Sequence, residues 1–255
     1  MKSLSRRQAL RGLVLGAAGA RLATPPVSAA AETTPAAQPQ GTCTLFPQTT
    51  EGPYYFDPKL VRSEIAEGRP GLPLQLALRV IESGPCTPIT DARVDIWHAD
   101  ARGVYSGYAG QGDRRTISTK NETYLRGTQM TDVDGTAIFR TIYPGWYPGR
   151  TPHIHVKVFL DTRTIVTGQI YFADALSARI YRERQPYAVR PKPDMTNAAD
   201  FLFKTGEREG GGIIFAVKEE PDLLAGSLTI AVDRRGGAAR RADGWGDYAR
   251  KLIGL

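Results

Sequence analysis

The feature that most constrains the fold of this 255-residue chain is a succession of short β-like runs, separated by Gly and Pro, from Cys43 to about Asp233. Side chains alternate between two faces along a strand, so runs with apolar residues at every second position predict half-buried strands. Helical patterning is scarce, and Ala175–Glu183 is the best candidate. Many short strands with frequent turn signals predict an all-β fold, an antiparallel β-sandwich with mixed loops and little helix. The predicted strands are Leu74–Ile81, Ala92–His98, Thr136–Ile142, His153–Leu160, Thr164–Phe172, Ile213–Val217 and Ser227–Val232, and Asp132–Gly135 predicts a turn.

The first 30 residues have the order of features of an export signal. Arg6 and Arg7 lie in a basic region without acids, a short apolar run follows at residues 12–20, and small residues at 27–30 suit a cleavage site. The paired arginines resemble a twin-arginine signal, the address for proteins exported already folded, although Ala9 stands where such signals often have a bulky apolar residue. We therefore predict export to the periplasm or the medium. The alternative is a basic helix that stays on the protein.

Composition divides the chain into four parts. Residues 1–30 are the predicted signal peptide, residues 31–42 a disordered linker rich in Ala, Thr, Pro and Gln, residues 43–232 one β-sandwich domain, and residues 233–255 a basic C-terminal tail. The formal net charge is +7, but five of these charges lie in the signal peptide. The remaining excess is too small to predict a nucleic-acid or membrane partner, and no apolar run reaches the roughly 18–20 residues of a membrane span.

Cys43 and Cys86 are the two cysteines of the chain. An even number in an exported protein predicts a disulfide, and two unpaired buried thiols are the alternative. A bridge between residues so far apart in sequence would stabilise the fold by roughly 3–4 kcal/mol on the loop-entropy model.

Two of the three histidines, His153 and His155, lie at the start of a predicted strand. Because side chains alternate along a strand, both imidazoles point to one face, while Ile154, Val156 and Val158 point to the other face and into a core. Two imidazoles whose Cα atoms are about 6–7 Å apart suit a single metal ion. The pattern alone leaves a surface pair or a packed pair of histidines equally open.

A loop rich in Pro and Gly, residues 143–150, leads into this strand and carries Tyr147. A phenolate is a hard, anionic oxygen donor that favours a hard, highly charged ion. Since a phenol has a pKa near ~10 in water, ionising it at neutral pH requires a strong neighbouring charge, which trivalent iron supplies. The chain has 11 tyrosines, and a packed or rim aromatic is the alternative for any one of them.

Four stretches of the chain carry a family resemblance: Thr50–Tyr55, Val94–Asp100, Gly103–Ser106 and Arg140–His155. Taken together they resemble the intradiol ring-cleavage dioxygenases, the group that includes protocatechuate 3,4-dioxygenases and catechol 1,2-dioxygenases. The last stretch is the most specific, because it has Tyr, Arg and His-x-His in the family's order. The resemblance covers about residues 43–232 and implies that this domain is catalytic.

The resemblance implies Fe(3+) as cofactor, held by two tyrosines and two histidines. Matched onto this sequence, the metal ligands are Tyr105, Tyr147, His153 and His155. Tyr108 is the alternative to Tyr105, which fits better because it directly follows Gly103-Val104.

Further roles are implied for residues near these ligands. Arg150 stands where the family has an arginine beside the substrate, and Gln169 matches a glutamine that lies behind the ligands. Tyr147 is the ligand expected to leave the metal and accept a proton from the substrate. His98 is expected to be structural rather than a ligand.

The implied reaction is cleavage of a catechol-type ring between its two hydroxylated carbons, giving cis,cis-muconate-type diacids. The partners are a small catecholic substrate and O2, without reductant, flavin or nicotinamide, and the chain has no Gly-rich dinucleotide motif. A fixed cation at Arg150 would stabilise negative charge that develops on the ring. The link from Tyr147 to His153 is shorter than in the catechol and protocatechuate enzymes, so the site is expected to be more open and to admit bulkier catechols.

Two alternatives share part of this pattern. A non-catalytic exported β-sandwich binding module would have the same strands, but it has no need for two Tyr and two His in this order. A metal hydrolase or a cupin-type oxygenase would need a third histidine or a carboxylate ligand.

Overall fold

Two four-stranded sheets form the protein in the computed structural model, which describes residues 43–208 and 213–235. The predicted all-β sandwich with little helix is confirmed. The elements are β1 (Pro73–Glu82), β2 (Arg93–Trp97), β3 (Arg126–Met130), β4 (Thr136–Ile142), β5 (His153–Leu160), β6 (Arg163–Tyr171), α1 (Asp174–Glu183), a 3₁₀ helix (Tyr187–Val189), α2 (Phe201–Arg208), β7 (Lys218–Glu220) and β8 (Leu223–Val232).

Strand order places β5 inside its sheet. The first sheet has the order β4-β1-β8-β7 and the second has the order β3-β2-β5-β6. Neighbouring strands are antiparallel, except that β1 and β8 pair in parallel. In the second sheet, His155 of β5 lies opposite Trp97 of β2 on one side and Gln169 of β6 on the other. Hydrogen bonds along both edges of β5 therefore fix the strand that carries both histidines.

The core lies between the sheets and takes alternate residues from each strand. It contains Leu76 and Leu78 of β1 together with Ile154, Val156 and Val158 of β5, all fully buried. Burying side chains of this size stabilises the fold by about 1.5–3 kcal/mol each. This face of β5 packs in the core. His153 and His155, which alternate with these apolar residues, therefore point to the opposite face, as predicted.

One predicted strand needs correction, and one strand was not predicted. The strand predicted at Ile213–Val217 is wrong, because the segment makes one isolated bridge, between Ile214 and Tyr171. Its apolar character has another cause, since Phe215 is buried in the core. The strand β3 was not predicted because the sequence Arg-Gly-Thr-Gln-Met lacks apolar alternation, yet it pairs with β2 at five positions.

A disulfide ties the start of the described region to the segment after β1. A disulfide joins Cys43 to Cys86, with 2.01 Å between the sulfur atoms and a sequence separation of 43 residues. The predicted signal peptide (1–30), the linker (31–42) and residues 236–255 of the basic tail lie outside the described residues. Within the described part of the chain, no helix is long and apolar enough to cross a membrane.

Candidate active site

The two histidines of β5 bring their Nε2 atoms together. His153 Nε2 and His155 Nε2 are 3.2 Å apart, and both residues are 2% exposed. Strand alternation puts both rings on one face, and pairing with β2 and β6 prevents the strand from turning that face away.

Two tyrosines reach the same point from different loops. Tyr105 follows β2, and its Oη atom lies 3.5 Å from His153 Nε2. Tyr147 lies in the loop before β5, and its Oη atom lies 3.3 Å from His153 Nε2. The four side chains named from the sequence, Tyr105, Tyr147, His153 and His155, therefore converge on one point.

The tautomer of His153 is set by a backbone contact. Its Nδ1 atom lies 2.7 Å from the carbonyl oxygen of Thr151, to which only a protonated nitrogen can donate. The lone pair is therefore on Nε2, which faces the other three side chains. His155 stacks flat on Trp97, with ring centroids 4.7 Å apart and planes at 9°. Among the described residues, the buried Nδ1 atom of His155 has no hydrogen-bond partner.

Burial keeps all four groups uncharged in the absence of a metal ion. Burial raises the pKa of Tyr105 well above its usual range, and it raises the pKa of Tyr147 to about 12 against the opposing charge of Arg150. Burial also lowers the pKa values of His153 and His155 well below the ordinary value, and the Arg150 charge adds to the effect at both. Neutral imidazoles offer lone pairs, whereas the phenols need a strong positive charge to become phenolates.

Arg150 is the buried cation beside this cluster. Its Nη1 atom lies 3.3 Å from Tyr147 Oη and 3.4 Å from His153 Nε2. Its Nη2 donates to Gln169 Oε1, which also accepts a hydrogen bond of 2.9 Å from Tyr171 Oη. Burial alone would lower the pKa of Arg150, but its neighbours, led by Tyr147, raise the pKa above the ordinary value, so the guanidinium is charged.

The donor atoms fit a single metal ion. Oxygen and nitrogen donors bound at about 2.0–2.1 Å lie roughly 2.8–3.4 Å from one another when the ligand angles are near 90–110°. The distances from His153 Nε2 to the other three donor atoms, from 3.2 to 3.5 Å, lie at the upper end of that spacing. Two phenol oxygens with two imidazole nitrogens form a hard, potentially dianionic donor set, which suits a trivalent ion.

Two residues weighed from the sequence lie outside this cluster. His98 is fully buried, and its ring nitrogens lie 2.9 Å from the Ala99 carbonyl oxygen and 2.7 Å from Thr141 Oγ1. Both of its nitrogens are thus used within the fold, as expected of a structural histidine. Tyr108 Oη donates a hydrogen bond of 2.9 Å to the carbonyl oxygen of Tyr55 and does not join the four donor atoms.

Comparison with known proteins places the chain in a family. A family model, Dioxygenase_C, described as a dioxygenase, matches residues 50–180. That range contains both tyrosines, both histidines, Arg150 and Gln169. The structure of an intradiol ring-cleavage dioxygenase from Tetranychus urticae is 33% identical, with a TM-score of 0.68 over 79% of this chain and 98% of that chain.

The chain belongs to the intradiol ring-cleavage dioxygenase family. Another relative of known structure is the dioxygenase domain of a dioxygenase–carbohydrate-binding fusion from Streptomyces sp. SirexAA-E, at 28% identity and a TM-score of 0.53, covering 74% of this chain and 99% of that chain. The protocatechuate 3,4-dioxygenase beta chain of Burkholderia cepacia is 30% identical over 140 residues, which are 51% of this chain and 54% of the relative. The match thus spans about half the length of that protein.

A partly open cavity of about 120 Å³ adjoins the cluster. Tyr105, Tyr147, Arg150 and His155 line it, as does Tyr54, which stacks on Tyr105 with ring centroids 4.6 Å apart. A ligand in the cavity would therefore be within reach of the cluster and of residues in the segment 110–115.

Sequence reasoning missed three residues that shape the site. Trp97 stacks on His155, and Tyr54 stacks on Tyr105; both lie in stretches that carry the family resemblance, although neither was assigned a role. Asp200 forms a buried ion pair with Arg150, with Nε and Oδ2 2.8 Å apart. No pattern in the sequence links Asp200 to Arg150, because the pair is 50 residues apart.

Proposed function

We propose that this chain is a non-haem iron(III) dioxygenase that opens catechol-type rings between the two hydroxylated carbons with O2, giving cis,cis-muconate-type diacids. One observation carries the proposal: two phenol oxygens and two imidazole nitrogens meet beside a cavity, at the spacing of ligands around one ion. Tyr105, Tyr147, His153 and His155 would hold the iron. When bound, ferric iron would bind the diol oxygens and withdraw electron density from the ring, which prepares it for O2.

We propose that Tyr147 accepts a proton from the substrate. Both tyrosines line the cavity, but Tyr147 is half-buried and its Oη atom lies 3.3 Å from Arg150 Nη1, whereas Tyr105 is 1% exposed and stacks on Tyr54. Because burial raises the pKa of the Tyr147 phenol to about 12, a free phenolate there is a strong base at neutral pH. The Oη atom of Tyr147 can therefore take a proton from a diol that enters the site.

Arg150 lines the cavity and supplies a fixed positive charge there. Its guanidinium is held by Asp200 and Gln169, so little reorganisation is needed when negative charge develops on the substrate. One such positioned group contributes roughly 10²–10³-fold in rate. Gln169 contributes by holding Nη2, which leaves Nη1 directed at Tyr147.

We propose a broad range of catechols as substrates, including bulkier ones. The cavity is partly open, and part of its lining consists of Gly110 and Gly112 with the polar residues Gln111, Asp113 and Arg115. Turnover should therefore vary little across a panel of catechols that differ in ring substituents. Strict use of one small catechol would contradict this part of the proposal.

Product identification tests the proposed reaction. The full chain, loaded with iron, is incubated under ¹⁸O2 with catechol, hydroxyquinol and protocatechuate, and the products are identified by mass spectrometry. We expect a diacid opened between the hydroxylated carbons that contains both ¹⁸O atoms. A ring opened beside the diol would contradict the intradiol assignment, and a catechol that binds without conversion would indicate a binding module instead.

We further propose that residues 1–30 direct export by the twin-arginine route and that the catalytic domain is residues 43–232. The basic region, apolar run and small-residue site of this segment support the proposal. N-terminal analysis of the exported protein should find a chain that starts near residue 31. Replacement of Arg6 and Arg7 by Lys should retain the protein in the cytoplasm, and unchanged export would contradict the twin-arginine route.

A further inference from the structure

Asp200 is fully buried and uses both carboxylate oxygens. Its Oδ1 atom accepts hydrogen bonds from the backbone N–H groups of Leu202, at 2.8 Å, and Phe203, at 3.2 Å, at the start of α2. Its Oδ2 atom accepts from Arg150 Nε, at 2.8 Å, and from the backbone N–H of Thr151, at 3.1 Å. One side chain thus caps a helix and holds the arginine of the active site.

Two of the three guanidinium nitrogens of Arg150 contact supporting residues, and the third faces the active site. Nε donates to Asp200 and Nη2 donates to Gln169, while Nη1 lies 3.3 Å from Tyr147 Oη. A guanidinium is planar and presents its donors in a fixed fork. Holding two of its nitrogens therefore determines where the third one points.

Asp200 is also the counter-ion of Arg150. The side chains of the two residues are 1% and 0% exposed, and no other carboxylate within the described residues forms an ion pair with Arg150. A buried guanidinium that loses its partner is strongly disfavoured and tends to move towards water or another acceptor. The open route from this position is the cavity that Arg150 lines.

We infer that Asp200 is a positioning residue of the dioxygenase: it acts through Arg150, keeping Nη1 against Tyr147 and out of the substrate's space. This inference rests on the proposed function for its kinetic consequence. Asp200 lies beyond residues 50–180, the part of the chain that the family model matches. The turn before α2 is thereby made part of the active site.

Two substitutions separate support of Arg150 from capping of α2. Asp200→Asn keeps the size of the side chain, but its single carbonyl oxygen can serve the arginine or the helix and not both. Asp200→Ser keeps a good N-cap residue and is too short to reach Arg150, so it also serves if the Asn variant does not fold. The matched control is Asp194→Asn, an exposed acid whose Oδ2 accepts from the backbone N–H of Gly149, next to Arg150.

Kinetics on the iron-loaded full chain give the first readout. Both Asp200 variants should lower kcat about 10²-fold with a smaller change in KM, while Asp194→Asn stays within about twofold of the wild type. In the Arg150→Gln background, Asp200→Ser should lower kcat by no more than a further factor of about two, because Asp200 acts through the arginine. Multiplying effects in the double variant would instead indicate a general structural role and would overturn the inference.

The position of the guanidinium gives a readout that does not depend on turnover. In a crystal structure of Asp200→Ser, Nη1 of Arg150 should have left Tyr147 Oη, while α2 keeps its first turn. An arginine that stays at its present 3.3 Å from Tyr147 would overturn the inference. If the wild type opens no catechol ring, the proposed function fails, and the arginine's position in this variant still decides the role of Asp200.

Discussion

His153 Nε2 and His155 Nε2 lie 3.2 Å apart because the two residues occupy the same face of one central strand. Core packing of Ile154 and Val156 on the other face fixes this orientation. Pairing with β2 and β6 on both edges fixes the strand itself. The sandwich therefore supplies two preorganised nitrogen donors before any metal is bound.

Removing one phenol oxygen at a time should distinguish Tyr105 from its neighbour Tyr108. Tyr105→Phe should abolish the visible absorption of the iron-loaded protein or shift it strongly, and it should lower kcat at least about 10²-fold, since an anionic donor is lost. Tyr108→Phe removes only the hydrogen bond to Tyr55, so it should cost about 1 kcal/mol of stability and leave the band in place. Absorption spectra and kcat are the measurements. Equal effects in the two variants would contradict the assignment of Tyr105.

A glycine comparison tests the close contact between the two loops that carry the tyrosines. Gly103 has a φ of +80°, and a Cβ atom there would lie 2.0 Å from the carbonyl oxygen of Trp146, next to Tyr147. Gly84 has a φ of +88° with nothing within 4 Å of its added Cβ. Gly84→Ala should thus cost only the backbone penalty, about 1–2 kcal/mol in free energy of unfolding. Gly103→Ala should lower the free energy of unfolding by more than that and should also lower kcat. Urea unfolding and kcat are the measurements. Equal losses of unfolding free energy in the two variants would argue against the contact.

His98 should make the apoprotein sensitive to acid. Burial lowers its pKa to about 4, from 6.5 in the unfolded chain, so the unfolded state binds the proton more tightly. The stability that the neutral His98 contributes is fully present above pH 6.5. As the pH falls to 4, the free energy of unfolding decreases by about 3 kcal/mol for this reason. Urea unfolding at pH 7 and pH 4 should show a smaller loss for His98→Gln than for the wild type. The same loss in both proteins would contradict a buried neutral His98.

The disulfide should support stability rather than chemistry. The bond between Cys43 and Cys86 closes a loop of 43 residues, so replacing both by Ser should lower the free energy of unfolding by roughly 3–4 kcal/mol. Neither cysteine lines the active-site cavity. Turnover per folded molecule at 25 °C should therefore stay near that of the wild type. Loss of turnover without loss of stability would be the contradictory result.

Local patterns made part of the site predictable. The orientation of His153 and His155 follows from strand alternation alone. Tyr147 stood out as a possible oxygen donor in the loop before the same strand, but its assignment as a ligand needed the family resemblance. The family resemblance was needed for Tyr105, because nothing in the sequence near it indicates that its loop reaches β5. Its Oη atom nevertheless lies 3.5 Å from His153 Nε2.

What could not be predicted depends on contacts between distant segments. The parallel pairing of β1 with β8 joins residues about 150 positions apart, and no local pattern specifies it. Edge strand β3 has no apolar alternation and is held by pairing with β2. Asp200 is followed by a short helix whose sequence gives no sign that its first turn serves Arg150.

The most direct measurement of the central claim is anomalous diffraction at the iron absorption edge from crystals of the iron-loaded protein. The account predicts one anomalous peak, about 2.0–2.2 Å from Tyr105 Oη, Tyr147 Oη, His153 Nε2 and His155 Nε2. No peak among these four atoms in catalytically active crystals, or a peak bound by other residues, would contradict it.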